Sequence, residues 1–155
     1  MKCKLICVGK LKEAALHTLI KEYDKRLKRY IELEIIELKD CGGDELRGMA
    51  IQKESDLILS KISQNSCVIL LDVLGKKMTS ESFSNVLGEH KNFISERALT
   101  FVIGGSYGVS EELKHRADLR LSFSDMTFSH QIFRVLFLEQ LYRGYDILNN
   151  GKYHK

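Results

Sequence analysis

Two short runs, one continuously apolar and one apolar at four of its five positions, constrain the fold of this chain more than any other feature of its sequence. Residues 67–71 read CVILL, and residues 99–103 read LTFVI. A strand without alternation of polar and apolar side chains is buried on both faces, which is typical of a parallel sheet. Parallel strands are joined by crossover connections that usually contain a helix. The two runs therefore predict an α/β fold, a mostly parallel sheet flanked by helices.

The rest of the chain alternates between strand-like and helix-like segments, as that fold requires. Residues 16–30 place apolar side chains at the spacing of an amphipathic helix. The sequence NNG at residues 149–151 is typical of a helix end, and Gly75-Lys76-Lys77 predicts a turn after the strand at 67–71. We expect strands over residues 4–8, 33–38, 67–71, 99–103 and 119–123, and helices over residues 16–30, 45–62, 83–94, 111–117 and 130–148.

Length and composition exclude several classes of protein. The chain has 155 residues, which suits one compact domain over residues 1–155. Apolar residues make up 44% and charged residues 29%, too apolar a mixture for general disorder. No apolar run approaches the roughly 18 residues of a membrane helix, and residues 1–9 lack the features of a signal peptide. The four cysteines show no C-x-x-C spacing, so we expect no metal site and a cytoplasmic protein with reduced thiols.

Charge is distributed unevenly along the first third of the chain. The formal net charge of +3 permits a nucleic-acid partner without requiring one. Residues 10–29 hold seven Lys or Arg and three acidic residues, whereas residues 31–56 hold three and eight. This segregation is compatible with one surface that meets phosphates and another that avoids them. Two solvated helix faces of opposite sign explain it equally well, so charge alone leaves the function open.

The last predicted helix is more apolar than the surface of a small domain requires. Six of the seven residues in 132–138 are apolar, whereas a surface helix needs only one apolar stripe. Another surface has to cover the excess, and the simplest candidate is the same helix of a second copy, which predicts a homodimer. The alternative is that this helix lies at the centre of the core.

Residues 104–108 (GGSYG) match the G-x-S-x-G pattern of serine hydrolases, and Asp118 or Asp125 and then His130 follow in hydrolase order. The chain is short for such an enzyme, whose sheet and oxyanion loop usually need far more residues. The glycines also have a simpler use, because they allow a ligand to approach the end of a buried strand, where open α/β sheets bind ligands. The segment contains neither G-x-G-x-x-G nor a phosphate-binding loop.

Three polar loops follow three predicted strands and should meet at one edge of the sheet. They are Leu71-Asp72, Gly104-Gly105, and the segment 121–130, which is rich in Ser, Thr and Asp. Loops that converge in this way form a cofactor pocket. The hydroxyl groups of the third loop would also suit a role confined to capping the next helix.

Two further groups of residues are candidates for contact with a ligand. His130 and Arg134 are four residues apart, and so lie on one face of the last helix. The end of the chain, residues 151–155 (GKYHK), combines an aromatic ring and a histidine with two lysines. That composition suits stacking on a base and contact with phosphates, although chain ends are usually frayed.

Taken together, these residues resemble the ribosomal large-subunit pseudouridine N3-methyltransferases, the smallest members of the SPOUT methyltransferase superfamily. The resemblance extends over the whole chain. Its most specific part is the joint occurrence of the Gly104-Gly105 loop, the LSFSDMT segment at 121–127 and the Tyr-His-Lys end at 153–155. Other matching segments are 8–12, 72–76, 79–81, 101–106, 134–135 and 141–143.

The resemblance implies a fold and an activity. The C-terminal part of the sheet would form a deep trefoil knot, which the usual rules for chain connections would not predict. The knot would bind S-adenosyl-L-methionine, the enzyme would act as a homodimer without a membrane or a metal, and its substrate would be a pseudouridine in a hairpin of 23S rRNA in the ribosome. Residues matched to cofactor binding are Leu71, Gly104, Gly105, Phe123, Ser124, Asp125, Met126, Thr127 and Phe128, and those tied to activity are His130, Arg134, Tyr153 and His154.

These matches suggest individual roles. His130 or His154 would accept the proton of the imide nitrogen, and Arg134 would stabilise the negative charge on the carbonyl oxygens of the base. Tyr153 would stack on the base. Many relatives have proline at the positions of Ser129 and Lys152, and losing that φ constraint removes no reactive group. A serine hydrolase and a non-catalytic RNA-binding module remain as alternatives.

Overall fold

The computed structural model of the chain describes residues 2–42, 47–93 and 98–155. Strands and helices alternate along these ranges. In chain order the elements are β1 (Lys2–Val8), α1 (Ala14–Leu27), β2 (Glu32–Leu38), α2 (Arg47–Lys61), β3 (Cys67–Lys77), α3 (Ser80–Phe93), β4 (Leu99–Ile103), α4 (Glu111–Arg116), β5 (Leu119–Ser122) and α5 (His130–Leu148).

The five strands form one parallel sheet with the order β2-β1-β4-β3-β5. Leu5 pairs with Ile35 on one side and with Phe101 on the other, so the first strand lies inside the sheet. The predicted α/β class and the mostly parallel sheet are confirmed. The trefoil knot stays a prediction.

Alternate strand residues face two separate hydrophobic cores. On one face, Leu5, Phe101 and their neighbours pack against helices α1, α3 and α5. On the other face, Ile6, Val102 and their neighbours pack against Ile58 of α2 and α4. Helices therefore cover both faces, which explains why the central strands show no polar alternation.

β3 is longer than predicted. The prediction of a turn at Gly75-Lys76-Lys77 is wrong, because these residues belong to the strand. The strand runs on to Lys77, and its pairing with β5 shifts register between Leu71 and Lys76. Lys76 and Lys77 pair with Leu121 and Ser122. This second half lies beside an edge strand and carries polar side chains, so it lacks the apolar signal that identified the first half.

Residues 72–75 form a β3 excursion between the two paired halves of the strand. Arg120 of β5 donates hydrogen bonds of 2.9 and 2.6 Å to one carboxylate oxygen of Asp72. A Cβ atom on Gly75 would lie 2.6 Å from the backbone carbonyl of Arg120, so only glycine permits this close approach. Leu74 at the tip is 79% exposed.

Most helix limits agree with the sequence. α1 ends at Leu27, three residues before the predicted limit, because residues 28–30 form a turn. The predicted start of the second helix at residue 45 and the predicted end of the third at residue 94 lie outside the described residues. The predicted limits of the last helix are confirmed: Ser129 accepts a hydrogen bond from the backbone of Ile132, and Asn150 adopts a φ of 53° beyond the helix end.

α5 lies between α1 and α3 and fills the centre of their layer. Phe137, Leu138 and Leu141 are fully buried, so part of its apolar surface serves the core of its own chain. Ile132 remains 48% exposed and Leu136 36% exposed. None of the helices in the described ranges has the length and apolar character needed to cross a membrane.

Candidate functional site

A cavity of about 920 Å³ opens where β3, β4 and β5 end. This is the edge of a parallel sheet at which α/β proteins bind ligands, and the volume falls in the range of small-molecule sites. Its walls are the β3 excursion, the loop after β4 and the segment between β5 and α5. Lining residues include Leu71, Asp72, Val73, Leu74, Ile103, Gly104, Gly105, Ser106, Tyr107, Phe123, Ser124, Met126, Thr127, Phe128, His130 and Phe133.

The structure brings together all but one of the residues matched to cofactor binding. Leu71, Gly104, Gly105, Phe123, Ser124, Met126, Thr127 and Phe128 line the cavity. Asp125 is not among the lining residues. Its exposed carboxylate forms an ion pair with Lys77 instead, so the structure places it on the outer side of the loop.

The loop after β4 is compact because its glycines allow close backbone contacts. A Cβ atom on Gly104 would lie 2.5 Å from Val109 Cγ1. The backbone N–H of Gly108 donates to the carbonyl of Gly105 at 3.1 Å, and Gly108 has a φ of +95°. Side chains at these positions would displace the loop, so the glycines fix the shape of this cavity wall.

Two buried polar residues of α2 lie behind the loop and were missed by sequence reasoning. Glu54 is 2% exposed and Ser55 is fully buried. Ser55 Oγ accepts a hydrogen bond of 2.8 Å from the backbone N–H of Ser110, and Glu54 Oε1 accepts one of 2.9 Å from Cys41. The position of Glu54 four residues from both Ala50 and Ile58, which are buried, was the available signal.

His130 faces the cavity from the first turn of α5. Its Nδ1 lies 3.5 Å from the Ser106 hydroxyl. Burial, and then the neighbouring Arg134 guanidinium, lower the pKa of His130 below its ordinary value of 6.5. In the part of the chain described by the structure, no carboxylate is hydrogen-bonded to His130, so Ser106 and His130 lack the third member of a hydrolase triad.

Arg134 lies behind His130 and does not line the cavity. It is 1% exposed. Its Nη1 donates to Glu37 at 2.7 Å, and its Nη2 donates to the carbonyls of Val8 and Gly9 at 2.7 and 2.6 Å. The predicted contact between Arg134 and the substrate does not fit these positions, because the guanidinium is used in joining α5 to the ends of β1 and β2.

Tyr153 and His154 lie away from the large cavity, against the helices of their own chain. The Tyr153 hydroxyl donates to Glu139 at 2.9 Å. His154 Nε2 lies 2.8 Å from Glu81, and its Nδ1 lies 3.3 Å from Arg143. These contacts order the end of the chain.

A second cavity, of about 370 Å³, lies between the large one and the chain end. It shares Leu121, Phe123 and Phe128 with the large cavity. Glu139, which accepts the Tyr153 hydrogen bond, also lines it. Glu139 therefore lies between the chain end and the smaller cavity, and none of residues 151–155, all of which the structure describes, lines either cavity.

The large cavity has the size and lining of a small-molecule site, compatible with the expected S-adenosyl-L-methionine. The apolar side chains of Leu71, Ile103 and Phe133 suit the packing of an adenine ring. Gly104 and Gly105 line the cavity with their backbone, because Val109 and Glu54 fill the positions that their side chains would take. Within the described ranges, no group of three or more His, Cys, Asp or Glu residues is placed to hold a metal ion.

Comparisons with known proteins agree with this geometry. Residues 1–154 match the family model described as "Predicted SPOUT methyltransferase". The chain is 49% identical to "Ribosomal RNA large subunit methyltransferase H 1" of Clostridium perfringens, 48% to "Ribosomal RNA large subunit methyltransferase H" of Clostridium tetani and 44% to the protein of that name from Fusobacterium nucleatum, each over the full length of both chains. The chain belongs to the SPOUT methyltransferase family.

Proposed function

We propose that this protein is an S-adenosyl-L-methionine-dependent methyltransferase that methylates N3 of a pseudouridine in 23S rRNA. The observation that carries the proposal is the cavity at the carboxyl ends of β3, β4 and β5, walled by the glycine loop and the 121–130 segment. The names of full-length relatives support a large-subunit rRNA substrate. We infer one methyltransferase domain over residues 1–155, acting in the cytoplasm, where ribosomes are.

His130 is our candidate for the proton acceptor. S-adenosyl-L-methionine, when bound, supplies a methyl group activated by its attachment to a sulfonium. The chain has to orient the target base and receive the proton that leaves N3. His130 lines the cavity, and its lowered pKa keeps the imidazole neutral at physiological pH. A neutral imidazole can accept that proton.

We assign Arg134 an indirect role, in which it holds the backbone beside His130. Its hydrogen bonds to Val8 and Gly9 hold the end of β1 against α5. A Cβ atom on Gly9 would lie 3.3 Å from His130 Nε2, so the segment that Arg134 holds also borders the imidazole. Arg134 is therefore a positioning residue for His130.

The rRNA backbone would meet the exposed face of α1. Lys21 and Lys25 are exposed along it, and Arg29 is exposed in the turn that follows. Each Lys or Arg that neutralises a phosphate adds to the salt dependence of binding. Tyr23 of the same helix lies beside Tyr153. This face and the chain end thus form a continuous basic and aromatic surface.

We infer a homodimer from the apolar side chains that one copy leaves exposed. Leu74, Met126 and Phe128 at the cavity and Ile132 and Leu136 on α5 are at least 36% exposed. A second copy would cover this surface. It would also bring its own Tyr153 and His154 to the cavity, which the chain end of the same copy does not line.

Transfer of radiolabel from S-adenosyl-L-methionine to ribosomes that lack the modification tests the activity. We expect one methyl group per large-subunit rRNA, located on a pseudouridine by mass spectrometry. Cofactor binding without transfer to rRNA would contradict the substrate. Salt-dependent rRNA binding without cofactor affinity would favour a non-catalytic RNA-binding module, and labelling of Ser106 by a fluorophosphonate would favour a hydrolase.

Mixing two inactive variants tests whether the sites are shared. His130→Asn and His154→Asn, purified separately, are mixed under conditions that exchange subunits. If the cavity of one copy uses the chain end of the other, a mixed dimer contains one intact site, and about a quarter of wild-type activity returns. No recovery, with subunit exchange confirmed by mass spectrometry, would contradict sharing.

A further inference from the structure

We propose that Glu54 is a positioning residue that holds the loop of residues 104–110 in the shape required for cofactor binding. This inference rests on the proposed function, because the loop is assigned to S-adenosyl-L-methionine. Glu54 itself does not line the cavity. It acts from behind, through the backbone of Gly105.

The carboxyl group of Glu54 fills the space that a side chain on Gly105 would occupy. A Cβ atom built on Gly105 would come closer than 3.0 Å to Glu54 Oε2 and would lie 3.3 Å from Val8 Cγ1. The carboxyl therefore packs directly against the backbone of Gly105. That backbone in turn accepts the hydrogen bond from Gly108 that closes the loop.

One helical turn holds the loop at both of its ends. Glu54 contacts the loop at Gly105, and the next residue, Ser55, accepts the backbone N–H of Ser110. Through Oε1, Glu54 also fastens Cys41 after β2 to the same point. These contacts join β2, α2 and the loop, three parts of the chain that are distant in sequence.

The surroundings of Glu54 favour the neutral form of its carboxyl group over the charged form. Among the residues that the structure describes, none donates a hydrogen bond to Oε2, which is fully buried. Burial raises the pKa of Glu54, and the Asp40 carboxylate raises it further, whereas the Cys41 N–H lowers it. A neutral carboxyl avoids the cost of an unpaired buried charge and still accepts the Cys41 hydrogen bond.

A comparison of Glu54→Gln with Glu54→Ala separates the effect of the shape of the Glu54 side chain from the effect of its ability to ionise. Glutamine keeps the shape of the side chain and the oxygen that accepts the Cys41 hydrogen bond, so we expect a Kd for S-adenosyl-L-methionine within about twofold of wild type. Alanine removes the group that supports Gly105, and we expect the Kd to rise by about tenfold or more while kcat at saturating cofactor changes less. Equal Kd values for alanine and wild type would overturn the proposal.

A compensating pair tests the contact with Gly105 itself. Gly105→Ala alone should weaken cofactor binding, because its methyl group collides with the Glu54 carboxyl. In the Glu54→Ala background the collision is removed, so adding Gly105→Ala should cost far less, a non-additivity expected of residues in contact. Strictly additive effects on Kd would overturn the contact.

Hydrogen exchange of the protein without cofactor makes the test independent of the proposed function. Glu54→Ala should speed exchange in residues 104–110, and Glu54→Gln should not. Ile58→Val, a core change one turn along α2, is the matched control for lost stability and should leave loop exchange and Kd unchanged. If wild type does not bind S-adenosyl-L-methionine, the proposed function fails, whereas unchanged loop exchange in Glu54→Ala overturns the role of Glu54.

Discussion

At the level of single residues, the environment of His130 determines how activity should depend on pH. The imidazole is partly buried and lies near the Arg134 guanidinium, and both effects lower its pKa below 6.5. A proton acceptor has to be deprotonated to work. Activity should therefore persist at pH values where an exposed histidine would already be protonated.

We predict that the acidic limb of the kcat profile for methyl transfer has its midpoint below pH 6.5. His130→Asn should lower kcat by about 100-fold or more and leave the Kd for cofactor nearly unchanged, because general-base catalysis contributes at this scale. His115→Asn is the matched control, since His115 is exposed and bonded only within α4. An unchanged kcat in His130→Asn would exclude it as the base.

Arg134 illustrates a different role, that of a buried cation whose donors hold the main chain. Removing its side chain leaves the carbonyls of Val8 and Gly9 without their donor and breaks the pair with Glu37. Groups left unpaired in a buried position cost more than the net value of the bonds that they made.

We predict that Arg134→Ala lowers the free energy of unfolding by about 3 kcal/mol, the scale of a broken buried pair. The measurement is urea denaturation followed by circular dichroism. Arg26→Ala, which removes an exposed pair with Glu22, should cost far less, because solvent screens exposed ion pairs. Equal costs for the two variants would show that Arg134 does not hold the structure.

At the level of elements, the β3 excursion depends on one close approach. Gly75 packs against the backbone of Arg120, and the Arg120 side chain binds Asp72. The excursion supplies Val73 and Leu74 to the cavity wall. A change at Gly75 should therefore affect both the sheet and the cavity.

We predict that Gly75→Ala destabilises the protein by about 1–3 kcal/mol, as overpacking does, and weakens cofactor binding. Gly48→Ala is the matched control, because nothing lies within 4 Å of its added Cβ atom and it lies in α2. That change should be neutral or stabilising by up to about 1 kcal/mol. Thermal unfolding would compare them, and a Gly75→Ala protein as stable as Gly48→Ala would contradict the packing argument.

Elements with a local signal were predictable from the sequence, and elements fixed by distant contacts were not. The runs at 67–71 and 99–103 identified the central strands, and Ser129 and Asn150 marked both ends of α5. The second half of β3 was not predicted, because its pairing with β5 depends on the close packing of Gly75 against the backbone of Arg120. The strand order is likewise set by long-range pairing.

In the cavity, too, features with a local signal could be predicted and features fixed by distant contacts could not. The glycine loop and the 121–130 segment could be placed together because strands of a parallel sheet end at one edge. The surroundings of Arg134 could not, because its partner Glu37 lies 97 residues earlier in the chain. Glu54 was missed because its role depends on Gly105, which packs against it only in the folded protein.

At the level of the whole molecule, exposed apolar side chains are concentrated at the cavity rim and on α5. Among the residues that the structure describes, these two places hold six of the nine exposed large apolar side chains, namely Val73, Leu74, Met126, Phe128, Ile132 and Leu136. Ile132 and Leu136 are one turn apart on α5. The other three are Leu19 on α1 and, on the opposite face of the sheet, Met49 and Leu57 on α2. This asymmetry indicates which face a second copy would cover.

We predict that the wild-type protein has the mass of two chains by light scattering and that Ile132→Glu/Leu136→Glu has the mass of one. Charges on these residues would oppose burial in an interface. Met49→Glu, on the other face, should remain a dimer. A wild-type monomer, or a double variant that stays dimeric, would contradict the inferred interface.

The position of β1 between β2 and β4 has a consequence for synthesis of the protein. One edge of this first strand pairs with β4, whose residues 99–103 leave the ribosome much later. Until then the emerging chain exposes an unpaired strand edge, the kind of surface that chaperones protect. The cavity needs residues as late as Phe133. A newly made copy thus gains its binding site only after the first turns of α5 have left the ribosome.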